Sequence, residues 1–366
     1  MASYENNVDH DNLKRPDAAL FLRSLRAAIY RHKLWGSSWL FMLLLSIIPA
    51  MEVMGTMQRM VGNRYASSDA ARDLDVSLSS PTLGMSEIFR QDHSATLSQM
   101  QTSLSYGGAA LALIALLFGC FAAGGWLQIT FEQPDRQTLR RFAFGGGRYF
   151  GRFVRVALMT LVLLALVRWV FYGDPWKRLV YGLILGVPDH DWGRLETLPS
   201  EGQYSKLIWL RDGLAAITFV KVLAWAIYVR TRLALRDSRS VILAGIATYF
   251  TILRHPIQTM RPLILLLIVE VFIVVVALGW WHGTVENRFY ADANGWHVLA
   301  FFGIAQLAAI WRQVTRGAYY HAAGRVSQAL ILPTDSKPDP WAKTIGGPGG
   351  PQYPIDDDLD GYHVTV

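Results

Sequence analysis

Residues 262–282 read PLILLLIVEVFIVVVALGWWH, an apolar run interrupted only by Glu270 before it ends in two tryptophans and a histidine. A helix rises about 1.5 Å per residue, so a run of this length crosses the ~30 Å hydrocarbon core of a bilayer. Five further stretches meet the same measure: Trp35–Gly55 (WGSSWLFMLLLSIIPAMEVMG), Tyr106–Ile129, Gly151–Tyr172, Trp209–Val229 and Trp296–Val314. The fold class expected from these runs is all-α: a polytopic transmembrane helix bundle of about six spans. Two apolar runs, Leu179–Val187 and Val241–Leu253, are too short to span; runs of that length are interfacial, re-entrant or buried against a bundle.

The composition agrees. Of 366 residues, 52% are hydrophobic and 17% charged, well below the ~25% charged residues of an ordinary soluble domain. Mean hydropathy is +0.23. The charge balance, 35 Lys+Arg against 28 Asp+Glu for a net +7, would point to nucleic acid in a soluble protein. Mapping each cation removes that reading. The stretch before the first span carries six, the connection between spans two and three together with the start of span three (Arg152 and Arg155) carries six, the connection between four and five carries six, and the C-terminal end counted from Arg312 carries five. These 23 lie on one side of the spans, against nine on the other. By the positive-inside rule both termini are expected in the cytoplasm, and no nucleic-acid partner is expected. Aromatic residues at the span ends (Trp35, Trp39, Trp126, Trp169, Tyr172, Trp209, Trp225, Tyr228, Trp280, Trp281, Trp296 and Trp311) read as interfacial belts. The first apolar run begins after more than 30 residues and lacks a small-x-small exit, so it reads as a retained signal anchor.

The organisation that follows is a cytoplasmic segment 1–34, a membrane domain 35–332 and a tail 333–366. Within the first segment, Pro16–Lys33 sets Leu20, Leu22, Leu25, Ala28 and Ile29 against basic residues, the pattern of an interfacial amphipathic helix. Polar loops 56–105 and 173–208 face the other side, and a hinge is expected at Gly145–Gly146–Gly147. The tail, GGPGGPQYP followed by DDDLDG, is too rich in Gly and Pro for a packed domain. Asp356, Asp358, Asp360 and Gly361 imitate the opening of an EF-hand, but the position-12 Glu has no residue to occupy it, so the run reads as a solvated acidic segment.

Ionisable side chains inside spans carry the most information, because a charge in hydrocarbon costs several kcal/mol. Lys221 in span four and Glu270 in span five lie at matching depths, about 12 Å from the same end, and Glu52 and Arg168 match near the opposite surface. Two alternatives stand: a polar path for an ion or substrate, or two structural ion pairs. Arg140, Arg141, Arg148, Arg152 and Arg155 are candidates for phospholipid headgroup contacts. Gly108, Ala112, Ala115, Gly119 and Ala123 form a small-xxx-small stripe suited to close helix packing, within the chain or against a second copy. One cysteine, Cys120, excludes an intrachain disulfide and a cysteine-based zinc site. The nine histidines have no metal-ligand spacing, and neither a phosphate-binding loop nor a nucleophile elbow occurs. No catalytic residue, metal or cofactor is therefore assigned, and an enzyme is not favoured.

The segment AWAIYVRTRLALRDSRSVILAGIATYFTILRHPIQTMRP (residues 224–262), with RFAFGGGRYFGRFVRVAL before span three, resembles a group of uncharacterised bacterial multi-pass inner-membrane proteins. In these a basic R-x-R…D-x-R-S segment leads into a short helix ending near His-Pro or Arg-Pro. They are loosely similar to the membrane domain attached to some glycerophosphodiester phosphodiesterases, whose soluble barrel is absent here. The resemblance covers roughly residues 15–325 and implies a bacterial inner-membrane module with no assigned reaction. The expected function is that of an integral inner-membrane protein handling lipid or transporting a solute. The alternative is a non-catalytic scaffold or accessory subunit. Expected partners are membrane lipids and other membrane proteins, a second copy included.

Overall fold

The computed structural model describes residues 19–61, 91, 94–133, 137–184, 201–238, 240–291 and 295–331. Among them every regular element is helical. In chain order these are α1 (Leu20–Tyr30), α2 (His32–Val61), α3 (Ser94–Glu132), α4 (Thr138–Tyr172), α5 (Glu201–Arg236), α6 (Val241–Arg254), α7 (Pro256–Val271), α8 (Gly279–Ala291) and α9 (Gly295–Leu330). A single turn at Asp174–Trp176 runs into a π-helical stretch, Lys177–Ile184, and a second π-helical stretch, Phe272–Leu278, joins α7 to α8. The acidic start of the chain, most of the first polar loop, residues 185–200 of the second and the C-terminal tail lie outside the described residues.

Five helical segments are long and apolar enough to cross a membrane: His32–Thr56, Ser94–Glu132, Thr138–Tyr172, Ser205–Arg236 and Pro256–Val285. They contain the first five expected spans. The sixth, Trp296–Val314, falls in the first half of α9, whose apolar run is interrupted by Gln306 and Arg312. The short run 241–253 is α6, capped at its start by Ser240, whose hydroxyl accepts from Leu243 N at 3.4 Å. It stops at His255 because the residue before Pro256 is pushed out of the helical region. Its Trp225-facing side is buried at Val241, Ala244, Gly245 and Thr248, and Trp225 Nε1 donates to Gly245 O at 3.0 Å. One face of this run is thus buried against the bundle, while Ile242, Leu243, Ile246, Phe250 and Leu253 on the other face are exposed.

The packed core occupies one end of the bundle. It takes in the C-terminal halves of α3, α5 and α9 and the N-terminal parts of α2, α4 and α7, as the up-and-down course of the chain requires. One cluster gathers Leu34, Leu127, Ile129, Phe153, Val156, Val229 and Leu233. The other joins α1 to α5, α7 and α9 through Ala28, Tyr228, Leu266, Ala318, Ala322 and Val326. Most of the chain's described arginines flank this end, called the basic end below.

The core is tight because glycines let backbones meet. Gly145 and Gly146 lie inside the continuous helix α4, which corrects the expected hinge. A Cβ on Gly124 would stand 2.6 Å from Gly145 O, and one on Gly146 would stand 2.6 Å from the Phe121 ring. Small residues are the usual means of close approach between helices in lipid. Trp126 is a second correction. It is 2% exposed, packed edge-on to Phe142 and against Gly317, where a Cβ would come within 2.6 Å of the indole. It is a core residue and not part of an interfacial belt.

Candidate functional site: an apolar groove and a basic end

Of the small-residue stripe, Gly119 and Ala123 are buried, Ala115 is half-buried, and Gly108 and Ala112 are exposed. The lower part of the stripe packs within the chain, with the Arg316 guanidinium lying over Gly119.

The four intramembrane charges do not converge on a path. Lys221, Glu52 and Arg168 are exposed on the outside of the helices. Ser103 Oγ donates to Glu52 Oε1 at 3.5 Å across the α2–α3 contact. Glu270, half-buried, accepts a hydrogen bond from the Tyr319 hydroxyl at 2.8 Å. The matched depths read from sequence do not produce the expected pairs: helix rotation, which depth does not specify, turns Lys221 away from the core. Tyr319 was missed because only the packing of α9 against α7 brings it to Glu270.

At the basic end, the arginines expected at headgroups divide. Arg141 pairs with Glu132 at 3.2 Å. Arg148 pairs with Asp237 at 3.4 Å, and Arg152 with the same carboxylate; Arg140 and Arg155 are exposed. Asp237 follows the last turn of α5 with φ of 47°, a left-handed conformation that Asp and Asn tolerate better than most residues. Its hydrogen bond from Arg152, and then the charges of both arginines, hold its carboxyl below the usual range. Deeper in, Arg230 Nη1 donates to the Tyr320 hydroxyl at 2.7 Å, while its buried Nε has no hydrogen-bond partner. His321 Nδ1 lies 3.0 Å from the hydroxyl of buried Ser24, tying α9 to α1. Burial first, then the charges of Arg325 and Arg31, push the His321 pKa down to about 4. The imidazole is therefore neutral at ordinary pH. These contacts dock the amphipathic helix α1 on the bundle. Ser24 and Ala28 are buried against the bundle, while Leu22 and Ile29 face outward.

Toward the opposite end, α8 and the π-helical stretch diverge from α9. They leave a groove of about 490 Å³ walled by Val274, Leu278, His282, Phe301, Phe302 and Ala305. His282 and Phe301 are in ring contact at 4.9 Å between centroids. The groove lies beside the C-terminal half of the apolar segment Pro256–Val285, which is long enough to cross a membrane. Among the described residues no three His, Cys, Asp or Glu side chains gather as metal ligands would. Comparison with models of protein families, with curated proteins and with solved structures finds no match. The chain is a membrane-embedded helical protein, and among the described residues an apolar groove and a basic end stand out.

Proposed function

We propose that the protein is a lipid-handling integral membrane protein that holds an acyl chain in the groove between α8 and α9. The groove itself carries this reading. Its volume falls in the range of small-molecule sites, its walls are mostly apolar, and it opens beside an apolar segment long enough to cross a membrane. Solute transport is less well supported, because Lys221, Glu52 and Arg168 lie on the outer surface of the helices. The resemblance to bacterial inner-membrane proteins and the excess of cations on one side support an inner-membrane location with the basic end and both termini cytoplasmic.

The test is photo-crosslinking in lipid nanodiscs with a phospholipid bearing a diazirine in its acyl chain, mapped by peptide mass spectrometry. Adducts are expected to concentrate on residues 274–282 and 301–308, and Ala305→Trp, which fills the groove, is expected to reduce them several-fold. Labelling spread evenly over the lipid-exposed faces of α2 and α4 would overturn the reading. So would stoichiometric recovery of a partner protein crosslinked to the groove, which would establish the scaffold alternative.

A further inference from the structure

At the corner where α1 turns into α2 and meets α9, three basic side chains share one site. Arg31 occupies the bend between α1 and α2, and His321 and Arg325 lie one turn apart on α9. All three are partly buried. Arg325 Nη1 reaches only its own helix, donating to Gln328 Oε1 at 3.4 Å.

No carboxylate among the described side chains pairs with Arg31 or Arg325. Six carboxylate side chains are described. Glu132 and Asp237 belong to Arg141, Arg148 and Arg152. Glu270 is bonded by Tyr319. Asp212 is paired with Arg211, and Glu52 and Asp174 stand at the opposite end of the bundle. The corner therefore concentrates positive charge that the described fold leaves unneutralised. Burial and then the Arg325 charge lower the Arg31 pKa, and burial lowers that of Arg325. Partly buried cations held together in this way favour an anion between them. Two guanidinium forks suit the tetrahedral oxygens of phosphate better than a point charge does.

We propose that Arg31 and Arg325 together bind a phosphate-bearing anion, either the headgroup of an anionic phospholipid or inorganic phosphate, at the α1–α2–α9 corner. Neutral His321 borders the site as a hydrogen-bonding wall fixed by Ser24. The proposal goes beyond the acyl groove and stands on other residues at the other end of the bundle, so either can fail without the other.

The experiment uses the full chain, delipidated in mild detergent. Native mass spectrometry would follow the retention of phosphatidylglycerol against phosphatidylcholine. In parallel, phenylglyoxal modification of Arg31 and Arg325 would be mapped with phosphatidylglycerol, with phosphatidylcholine or with inorganic phosphate added. Phosphatidylglycerol is expected to protect both arginines and to be retained. Protection by inorganic phosphate at comparable concentration would assign the site to the free anion. The Arg31→Gln/Arg325→Gln double variant is expected to lose about tenfold in retention. The charge-matched Lys177→Gln/Arg178→Gln variant at the opposite end is expected to change by less than about twofold. Should the double variant not fold, the protection of wild-type Arg31 and Arg325 decides alone. Equal modification with and without any phosphate compound would overturn the proposal. So would protection that disappears on removing the acidic residues 355–366, which would make the chain's own tail the anion.

Discussion

The two ends of this bundle are built from the same helices and much the same apolar residues, yet only one is packed. At the basic end Leu127, Ile129, Phe153, Val229 and Leu233 are fully enclosed. At the opposite end Leu113, Val162, Val275 and Leu299 are more than half exposed, and Trp209, Trp280 and Trp296 are at least 75% exposed. Hydrophobicity does not separate the ends, because in lipid an apolar side chain gains little by exchanging a tail for a neighbouring helix. What separates them is the placement of small residues and of polar contacts between helices. Gly124, Gly125, Gly145, Gly146, Gly317 and Gly324 all sit in close contacts at the basic end, whereas Gly107 and Gly108 touch nothing.

That contrast can be broken most directly by filling the seam. Gly145→Val would drive a side chain into Gln128 and the α3 backbone. The expected cost is more than about 3 kcal/mol, seen as loss of a monodisperse peak in detergent gel filtration. Gly108→Val, in open space, is expected to change the thermal midpoint by no more than about 0.5 kcal/mol equivalent. Similar melting of the two variants would remove the seam from the account. Next in size, Phe153→Ala empties a fully buried site at the cost of about 3 kcal/mol. Leu166→Ala on the exposed half of the same helix removes only lipid contact and is expected to stay below about 0.5 kcal/mol.

A pH series addresses the basic end specifically. His321 has a folded pKa of about 4 against an ordinary 6.5, so the unfolded chain binds the extra proton first as pH falls. Stability is therefore expected to be fully present above about 6.5 and to decline between 6.5 and 4. The decline is on the order of 3 kcal/mol, and His321→Gln should flatten that part of the curve in a detergent thermal-melt series. The smallest effect expected is that of Asp237→Asn. It releases Arg148 and Arg152 but keeps a residue tolerant of the left-handed backbone, for about 0.5 kcal/mol at an exposed site. The Asp237 carboxyl is held below its usual range, so its contribution is present above the ordinary 3.8 and fades only below it.

Much of this architecture was legible in the chain itself. Apolar length alone located the five spanning helices, the shortness of 241–253 marked α6, and amphipathic spacing marked α1. The seam was half legible. Gly124 lies eight residues before the end of α3 and Gly145 seven after the start of α4, so an antiparallel hairpin puts them opposite one another. That symmetry about residues 133–137, and not the glycine triplet by itself, was the available signal. The groove was not legible, because the π-helical stretch 272–278 that borders it has the same apolar composition as an α-helix. Nor was the corner at Arg31 and Arg325, which joins residues from the two ends of the sequence. Depth along a helix follows from residue count, but azimuth depends on partners, so Lys221 and Glu270 could be matched in height without meeting.

The bond between Ser24 and His321 spans 297 positions of the chain, whereas the α3–α4 seam joins residues some 20 apart. Loop closure of such different lengths implies an order of assembly. During synthesis the hairpin has its partners as soon as both of its helices are made. α1, although made first, must keep Ser24 and Ala28 uncovered until α9 arrives. The first of the described helices to be made is thus the last to be seated, and the basic end closes only when α9 is in place.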